Sequence, residues 1–299
     1  MLAERLVEAV ASRRMTQSLR SAAVDFTSPA GEAALAPPDS VAWQVFRNPV
    51  ALFVGGVTAV VLELAEPRVR SGVWDHTTFR TDPLARMERT GLAAMVTVYG
   101  ARSVAERMIA GVCRLHERVE GRTPAGVPYR ATDTELLDWV QATASFGFLE
   151  AYATFVRPLT DAERDRFYAE GIPAARLYGA VGAPASRAAL EAQFDAMFPK
   201  LERSPIVLEF LDIMRRTPIF PAPARWLQWM LVRAGVEVVP SRVRDLLGLD
   251  ARWGLGRLEH ALVARLGQLA DRIVLPSSPA AQACRRLGLP ADYLTRRAA

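Results

Sequence analysis

The stretch PVALFVGGVTAVVLELA, residues 49–65, decides what kind of fold this chain adopts. Its apolar run over residues 50–62 is closed by Glu63 and is shorter than the roughly 20 residues that a membrane-spanning helix needs. The run therefore predicts a buried helix in a globular core. Gly55 and Gly56 lie inside it, and a residue without a Cβ permits close approach of another helix or of a flat ligand.

The rest of the chain also shows helical patterns. Apolar residues recur at helical spacing, and Ser, Thr or Asp residues precede several segments as candidate N-caps. Alternating strand patterns are nearly absent. The sequence therefore predicts an all-α, single globular multi-helix domain of about ten to twelve helices. Beyond residues 49–65, helices are predicted over residues 2–20, 83–99, 101–119, 132–155, 184–198, 225–234, 240–247, 252–269 and 279–287, with two more starting near 160 and 204.

The distribution of predicted helices divides the chain into three segments. Residues 1–40 are predicted to form an N-terminal helix and loop, residues 41–290 the main domain, and residues 291–299 a basic tail. Arg and Glu interrupt the N-terminal segment, so we expect neither a signal peptide nor a transmembrane segment. A basic amphipathic helix of this kind either packs on its own domain or makes a peripheral contact with an anionic membrane.

Composition narrows the function classes. The 299 residues are 51% hydrophobic and 23% charged, which is typical of a folded protein rather than a disordered one. The net charge is only +5, with 37 basic residues interspersed among 32 acidic ones, so we expect no nucleic-acid partner. Cys113 and Cys284 cannot form a disulfide framework or a zinc site, which predicts a reducing, cytoplasmic location.

His116 is the most informative of the three histidines. It shares a helix face with Ile109, Val112 and Cys113. A histidine on such a face is either a buried neutral imidazole bonded to a carbonyl group or an axial ligand of haem iron. His76 either bonds locally beside Asp75 or places a polar group at a pocket mouth.

His260, the third histidine, follows Glu259 in an Arg-rich segment and is predicted to be a solvated surface residue. Arg86 and Thr90 are four residues apart, so they lie about 40° apart around the helix axis and project together. An arginine beside a hydroxyl group could hold an anion, a propionate or bound dioxygen. The sequence contains no GxGxxG, GxxxxGK[ST], HExxH or GxSxG motif, which removes the usual indications of nucleotide binding, zinc proteolysis and α/β-hydrolase activity.

Three stretches, taken in order, resemble a known family. They are DHTTFRTDPLARMERT (75–90), VYGARSVAERMIAGVCRLHERVEGRTPAGVPYRATDTELLDWV (98–140) and PLTDAERDRFYAE (158–170). They are similar to the oxygenase family of MpaB, from mycophenolic acid biosynthesis, and the latex-clearing rubber oxygenase. The resemblance covers roughly residues 45–290. It implies a helical domain that encloses haem b, held through one histidine, and that cleaves carbon–carbon double bonds of hydrophobic substrates with O2.

The resemblance also implies roles for single residues. His116 matches the axial ligand of the iron, and Arg86 with Thr90 matches a polar pair on the opposite, catalytic side. We include His76 and Gln141 among the candidate cofactor-binding residues. Many relatives have a histidine where this chain has Gln141. If His116 is the ligand, Gln141 is a change in the pocket wall; if the missing histidine is the ligand, haem binding is weakened or lost.

Three hypotheses follow. The first is a haem b-dependent oxygenase that acts on a hydrophobic small molecule, with oxidative C=C cleavage as the implied reaction. The second keeps the haem but hydroxylates or otherwise oxidises a small molecule in a biosynthetic pathway. The third is a haem-less helical scaffold in which His116 is a core residue.

Overall fold

The computed structural model describes residues 24–298 and confirms the all-α class. The helix predicted over residues 2–20 lies outside the described residues. Within them the only sheet is a two-stranded antiparallel hairpin, in which Gly121 pairs with Tyr129. The elements in chain order are α1 (Val41–Phe46), α2 (Pro49–Ala65), α3 (Pro67–His76), α4 (Pro83–Tyr99), α5 (Arg102–His116), β1 (Glu120–Arg122), β2 (Pro128–Arg130), α6 (Thr134–Phe155), α7 (Asp161–Leu177), α8 (Arg187–Met197), α9 (Pro205–Arg216), α10 (Arg225–Val238), α11 (Ser241–Leu247), α12 (Arg257–Asp271), α13 (Pro279–Arg286) and α14 (Tyr293–Ala298).

The buried helix α2 is the centre of the fold and packs mainly on α6 and α10. A Cβ at Gly55 would lie 2.7 Å from the Cα atom of Phe148, and one at Gly147 would lie 2.5 Å from the carbonyl oxygen of Gly55. Glycine at both positions therefore allows the backbones of α2 and α6 to touch. The contact of α2 with α10 is also close, since Thr58 Oγ1 donates to the carbonyl oxygen of Gly235 at 2.8 Å.

The apolar core divides into two clusters. The larger one surrounds α2, α6 and α10, and the smaller one joins α4, α5 and α13 to residues 26–36. Helices α4 and α5 pack on each other but share few contacts with α2 and α6. We call the boundary between the α2–α6 pair and the α4–α5 pair, where few contacts form, the slot.

The two chain ends of the described region are fixed to the smaller cluster. Arg286 of α13 donates to the carbonyl oxygens of Phe26 and Glu32, both at 2.8 Å. The segment predicted as a basic tail contains the short helix α14, and its Leu294 is buried. The carbonyl oxygen of Leu294 accepts from Gln44 Nε2 of α1 at 3.2 Å.

Several predicted boundaries were wrong. The helix expected over residues 101–119 ends at His116, where the chain turns into the hairpin. The helix expected from residue 132 begins at Thr134, after Asp133, and Glu135 in its first turn pairs with Arg68 and Lys200 instead of capping the helix. The helix expected from residue 252 begins at Arg257, after a 3-10 turn and two glycines.

The length and hydropathy of the helices in residues 24–298 bear on whether one could cross a membrane. In this region no single helix is both long and apolar enough to cross a bilayer. Helices α2 and α3 meet the criterion only when joined, and the chain bends by 111° between them.

Candidate functional site

One face of α2 is partly exposed although the helix is otherwise buried. Leu52, Phe53, Gly56, Val60 and Glu63 share a sector of about 100° around the helix axis, and all five are only partly buried. A Cβ at Gly56 would meet no atom within 4 Å, unlike one at Gly55. Gly55 therefore lies at the contact with α6, whereas open space lies beside Gly56.

Helix α6 presents a similar stripe to the slot. Leu137, Gln141, Ala144, Ser145 and Phe148 are partly exposed at helical spacing. The side-chain amide of Gln141 donates to Ser145 Oγ at 3.2 Å along this stripe. The wall is therefore mainly apolar, with one neutral polar pair.

The end of α7 connects this stripe to the opposite side of the slot. Leu137 lies beside Gly179, just after α7. Tyr178 Oη lies 3.0 Å from Thr97 Oγ1 of α4, and the carbonyl oxygen of Leu177 accepts from Cys113 Sγ of α5 at 3.5 Å. The slot consequently has α2 and α6 on one side, α4 and α5 on the other, and the end of α7 across it.

Arg86 and Thr90 of α4 meet as their spacing predicts. Arg86 Nη1 donates to Thr90 Oγ1, and this hydroxyl donates to the carbonyl oxygen of Arg86 at 2.9 Å. The single hydroxyl proton is therefore directed at the backbone. In this geometry Thr90 fixes the guanidinium group rather than offering a donor to a bound molecule.

Glu63 is a functional candidate that the sequence analysis missed. Burial raises the pKa of its carboxyl group to about 7, and the nearby charge of Arg86 only partly offsets this effect. Among the described residues its carboxylate has no hydrogen-bond or ion-pair partner. The signal in the sequence was an isolated acid that ends an apolar run, at helical spacing from Gly56.

His116 lies at the last residue of α5 and is partly buried. Burial lowers its pKa, and the charge of Arg86 lowers it further, so the imidazole is neutral at pH 7. Within residues 24–298 neither ring nitrogen has a hydrogen-bond partner. The carbonyl-bonded histidine considered from the sequence is therefore not what the structure contains, and a ring nitrogen is free to bind a ligand.

The other two histidines are engaged elsewhere. His76, the exposed last residue of α3, has its Nε2 atom 3.1 Å from the Tyr129 hydroxyl on β2. His260 was expected on the solvated surface and is only partly exposed, because its Nδ1 atom lies 2.7 Å from Glu237 and its ring packs on Phe155. The structure thus brings together Glu63, Arg86, Thr90 and His116, and gives His76 a local partner instead.

The donor set suits a cofactor that brings most of its own ligands. No group of three or more His, Cys, Asp or Glu side chains among the described residues could hold a bare metal ion. His116 offers one neutral nitrogen, and Arg86 offers a cation close by. This combination fits a metal inside an anionic macrocycle that needs a single protein ligand.

Residues 43–272 match the family described as "ER-bound oxygenase mpaB/B'/Rubber oxygenase, catalytic domain". The chain belongs to this family. Its match covers every element of the slot, from α2 to α7, and ends one residue beyond the last residue of α12, Asp271. Curated proteins and solved structures gave no match. The family assignment makes the chain an oxygenase catalytic domain, which acts on O2 and a second substrate.

Proposed function

We propose that the protein is a haem b-dependent oxygenase that oxidises a hydrophobic small molecule in the slot. The observation that carries the proposal is the partly buried, neutral His116, whose ring nitrogens are free among the described residues, beside the partly buried charge of Arg86. Membership in the oxygenase family supports the reaction class.

His116 would hold the iron through one ring nitrogen. When bound, haem supplies the redox-active metal at which O2 reacts. Gly56 adds no side chain to the face of α2 that a flat ring would approach, and a Cβ there would meet no atom within 4 Å. Because the pKa of His116 is lowered, its lone pair is available without competition from a proton at neutral pH.

Arg86 supplies the positive charge of the site. Burial lowers its pKa, but guanidinium remains charged near neutral pH, so it would bind a propionate or stabilise negative charge that develops during oxygen chemistry. Thr90 accepts from Arg86 and holds it in one orientation. A fixed cation loses less entropy when it binds than a mobile one does.

Glu63 is placed to hold or release a proton. A carboxyl group with a pKa of about 7 is protonated in half of the molecules at neutral pH, which is the condition for acid–base work. We propose that it moves a proton to or from the substrate side of the slot. We propose Gln141 and Ser145 as neutral residues of the slot wall. Glutamine in place of the histidine of many relatives would then leave His116 as the ligand of the iron.

The apolar walls favour a hydrophobic substrate, and the resemblance favours oxidative cleavage of a C=C bond. The test is to incubate the haem-loaded protein with an isoprenoid alkene under 18O2, reduce the products at once, and analyse them by mass spectrometry. Two carbonyl-derived fragments that both carry 18O support cleavage. One hydroxylated product with a single 18O supports the alternative of hydroxylation.

Arg86→Gln provides the residue-level control. We expect it to lower turnover by at least about tenfold, which corresponds to about 1.4 kcal/mol of lost charge stabilisation. Arg102→Gln removes an exposed arginine of α5 and should leave turnover unchanged. No oxygen uptake by haem-loaded protein with any alkene tested would overturn the proposed reaction.

A further inference from the structure

Four large apolar side chains are exposed on α10 and α12. They are Trp226, Leu258, Leu262 and Leu269, which are 55%, 87%, 39% and 37% exposed. Leu258, Leu262 and Leu269 lie within about 40° of one another around α12. Trp226, Leu258 and Leu262 line one groove between the two helices. We call these four residues the apolar face.

The segment before α10 extends this face. Residues 217–224, TPIFPAPA, contain no charged side chain, and Pro218, Pro221 and Pro223 are exposed. Phe220 is buried and packs on Phe53 of α2, with ring centroids 5.9 Å apart. The exposed prolines are thus anchored to the core directly before Trp226.

The charges around the apolar face are unbalanced. Arg225, Arg257, Arg265 and Arg272 are exposed, and none has an ion-pair partner among residues 24–298. The nearest acids along α12 are already engaged, since Glu259 pairs with Arg233 and Asp271 pairs with Arg47. Arg265 lies on the same side of α12 as Leu258, Leu262 and Leu269. The uncompensated charge at this face is therefore positive.

We propose that the apolar face docks on the surface of an anionic lipid bilayer. Leucine and tryptophan side chains would enter the boundary between headgroups and acyl chains, where tryptophan is favoured. The arginines would reach lipid phosphates while their aliphatic stems lie along the apolar surface. Helix α12 would then lie parallel to the membrane without crossing it.

The same features disfavour a second copy of the chain as the occupant. In a two-fold symmetric dimer the same patch meets itself, so Arg265 and its neighbours would face identical positive charges. Such like-charge contacts at the centre of an interface are costly. An anionic surface instead supplies the missing negative charge.

Docking would also give a hydrophobic substrate a short route to the slot. The apolar segment reaches α2 through the contact between Phe220 and Phe53, and Phe53 belongs to the partly exposed face of α2. This consequence rests on the proposed function, whereas the docking itself does not. The test below therefore measures binding and not turnover.

The experiment is flotation of the full chain with phosphatidylcholine vesicles, with and without phosphatidylserine. We expect binding to the anionic vesicles that weakens as salt is added, because counterions screen the arginines. Arg257→Gln combined with Arg265→Gln should weaken it by about 25-fold, at about fivefold per arginine. Leu258→Asn combined with Leu262→Asn should weaken it by at least about tenfold.

Arg107→Gln combined with Arg114→Gln is the matched control. It removes two exposed arginines of α5, so the net charge changes equally, and binding should stay within about twofold of wild type. Equal losses from both arginine pairs, or no loss from either, would overturn the proposal by showing that overall charge or another surface governs binding. Analytical ultracentrifugation of the Leu258→Asn, Leu262→Asn variant completes the test. A wild-type dimer that this variant dissociates, with vesicle binding unchanged, would make the face a self-association surface instead.

Discussion

Gly55 and Gly56 are neighbours in α2, but an added methyl group would meet different surroundings at the two positions. A Cβ at Gly55 would lie 2.7 Å from the Cα atom of Phe148 and 2.8 Å from the carbonyl oxygen of Gly147. Both are backbone atoms of α6, so no side-chain rotation relieves the contact. A Cβ at Gly56 would meet nothing within 4 Å. Gly55→Ala and Gly56→Ala therefore separate the helix crossing from the open side of the slot.

The magnitudes follow from two effects. Replacing a helix-interior glycine with alanine stabilises the folded state by about 1 kcal/mol, and this gain is common to both variants. Overpacking at the crossing costs about 1–3 kcal/mol and applies only at Gly55. Gly56→Ala should therefore be more stable than wild type by about 1 kcal/mol. Gly55→Ala should be less stable than Gly56→Ala by about 1–3 kcal/mol.

The assay is urea denaturation of the haem-free protein, followed by far-ultraviolet circular dichroism and compared at a common slope. At about 2–4 °C per kcal/mol, the two variants should also differ by roughly 2–12 °C in Tm. Equal denaturation midpoints for the two variants would refute the close approach of α2 and α6 at Gly55. Destabilisation by Gly56→Ala would refute the open space beside that residue.

Three further predictions concern charged groups. Burial raises the pKa of Glu63 from 4.5 to about 7. The stability of haem-free wild type should therefore fall, relative to Glu63→Gln, as pH rises from 4.5 to 7. A constant stability difference across this window would contradict the raised pKa. Asp271→Asn should destabilise the protein by about 3–5 kcal/mol in urea denaturation, because it leaves the largely buried Arg47 guanidinium without its 2.5 Å ion-pair partner. Replacing both residues with apolar ones should cost less, since no unpaired charge is then left buried. The hydrogen bonds from Arg157 and from the Thr160 cap lower the pKa of Glu163 from 4.5 to about 2. The stability advantage of wild type over Glu163→Gln should therefore be complete above pH 4.5 and disappear as pH falls to 2. An advantage that persists at pH 2 would exclude this linkage.

Much of the fold could be predicted because local signals and burial agree. Helix α4 has the predicted limits, since Asp82 caps it and Pro83 opens it. The capping box of Thr160 and Glu163 forms as its spacing indicates. The failures arose where tertiary contacts outweighed a local motif. Glu135 forms ion pairs with Arg68 and Lys200 on the surface and does not cap α6.

The site was only partly predictable for the same physical reason. The helical spacing of Arg86 and Thr90 fixes their contact, which the sequence shows. The sequence does not show that Glu63 of α2 lies near Arg86 of α4, because this proximity depends on how the two helix pairs are arranged. Nor does it show that Tyr129 of β2 lies beside His76. Residues that act within one helix can be read from spacing, whereas the partners contributed by other helices require the structure.

The proposed function depends on a single neutral imidazole, so the most direct measurement is a haem titration followed at the Soret band. It compares wild type, His116→Ala and His76→Ala, with circular dichroism to establish folding. We predict a Soret band in wild type and in His76→Ala, its loss in His116→Ala, and its partial return when free imidazole is added to that variant. A band that survives unchanged in His116→Ala, or no band in wild type, would contradict haem ligation by His116.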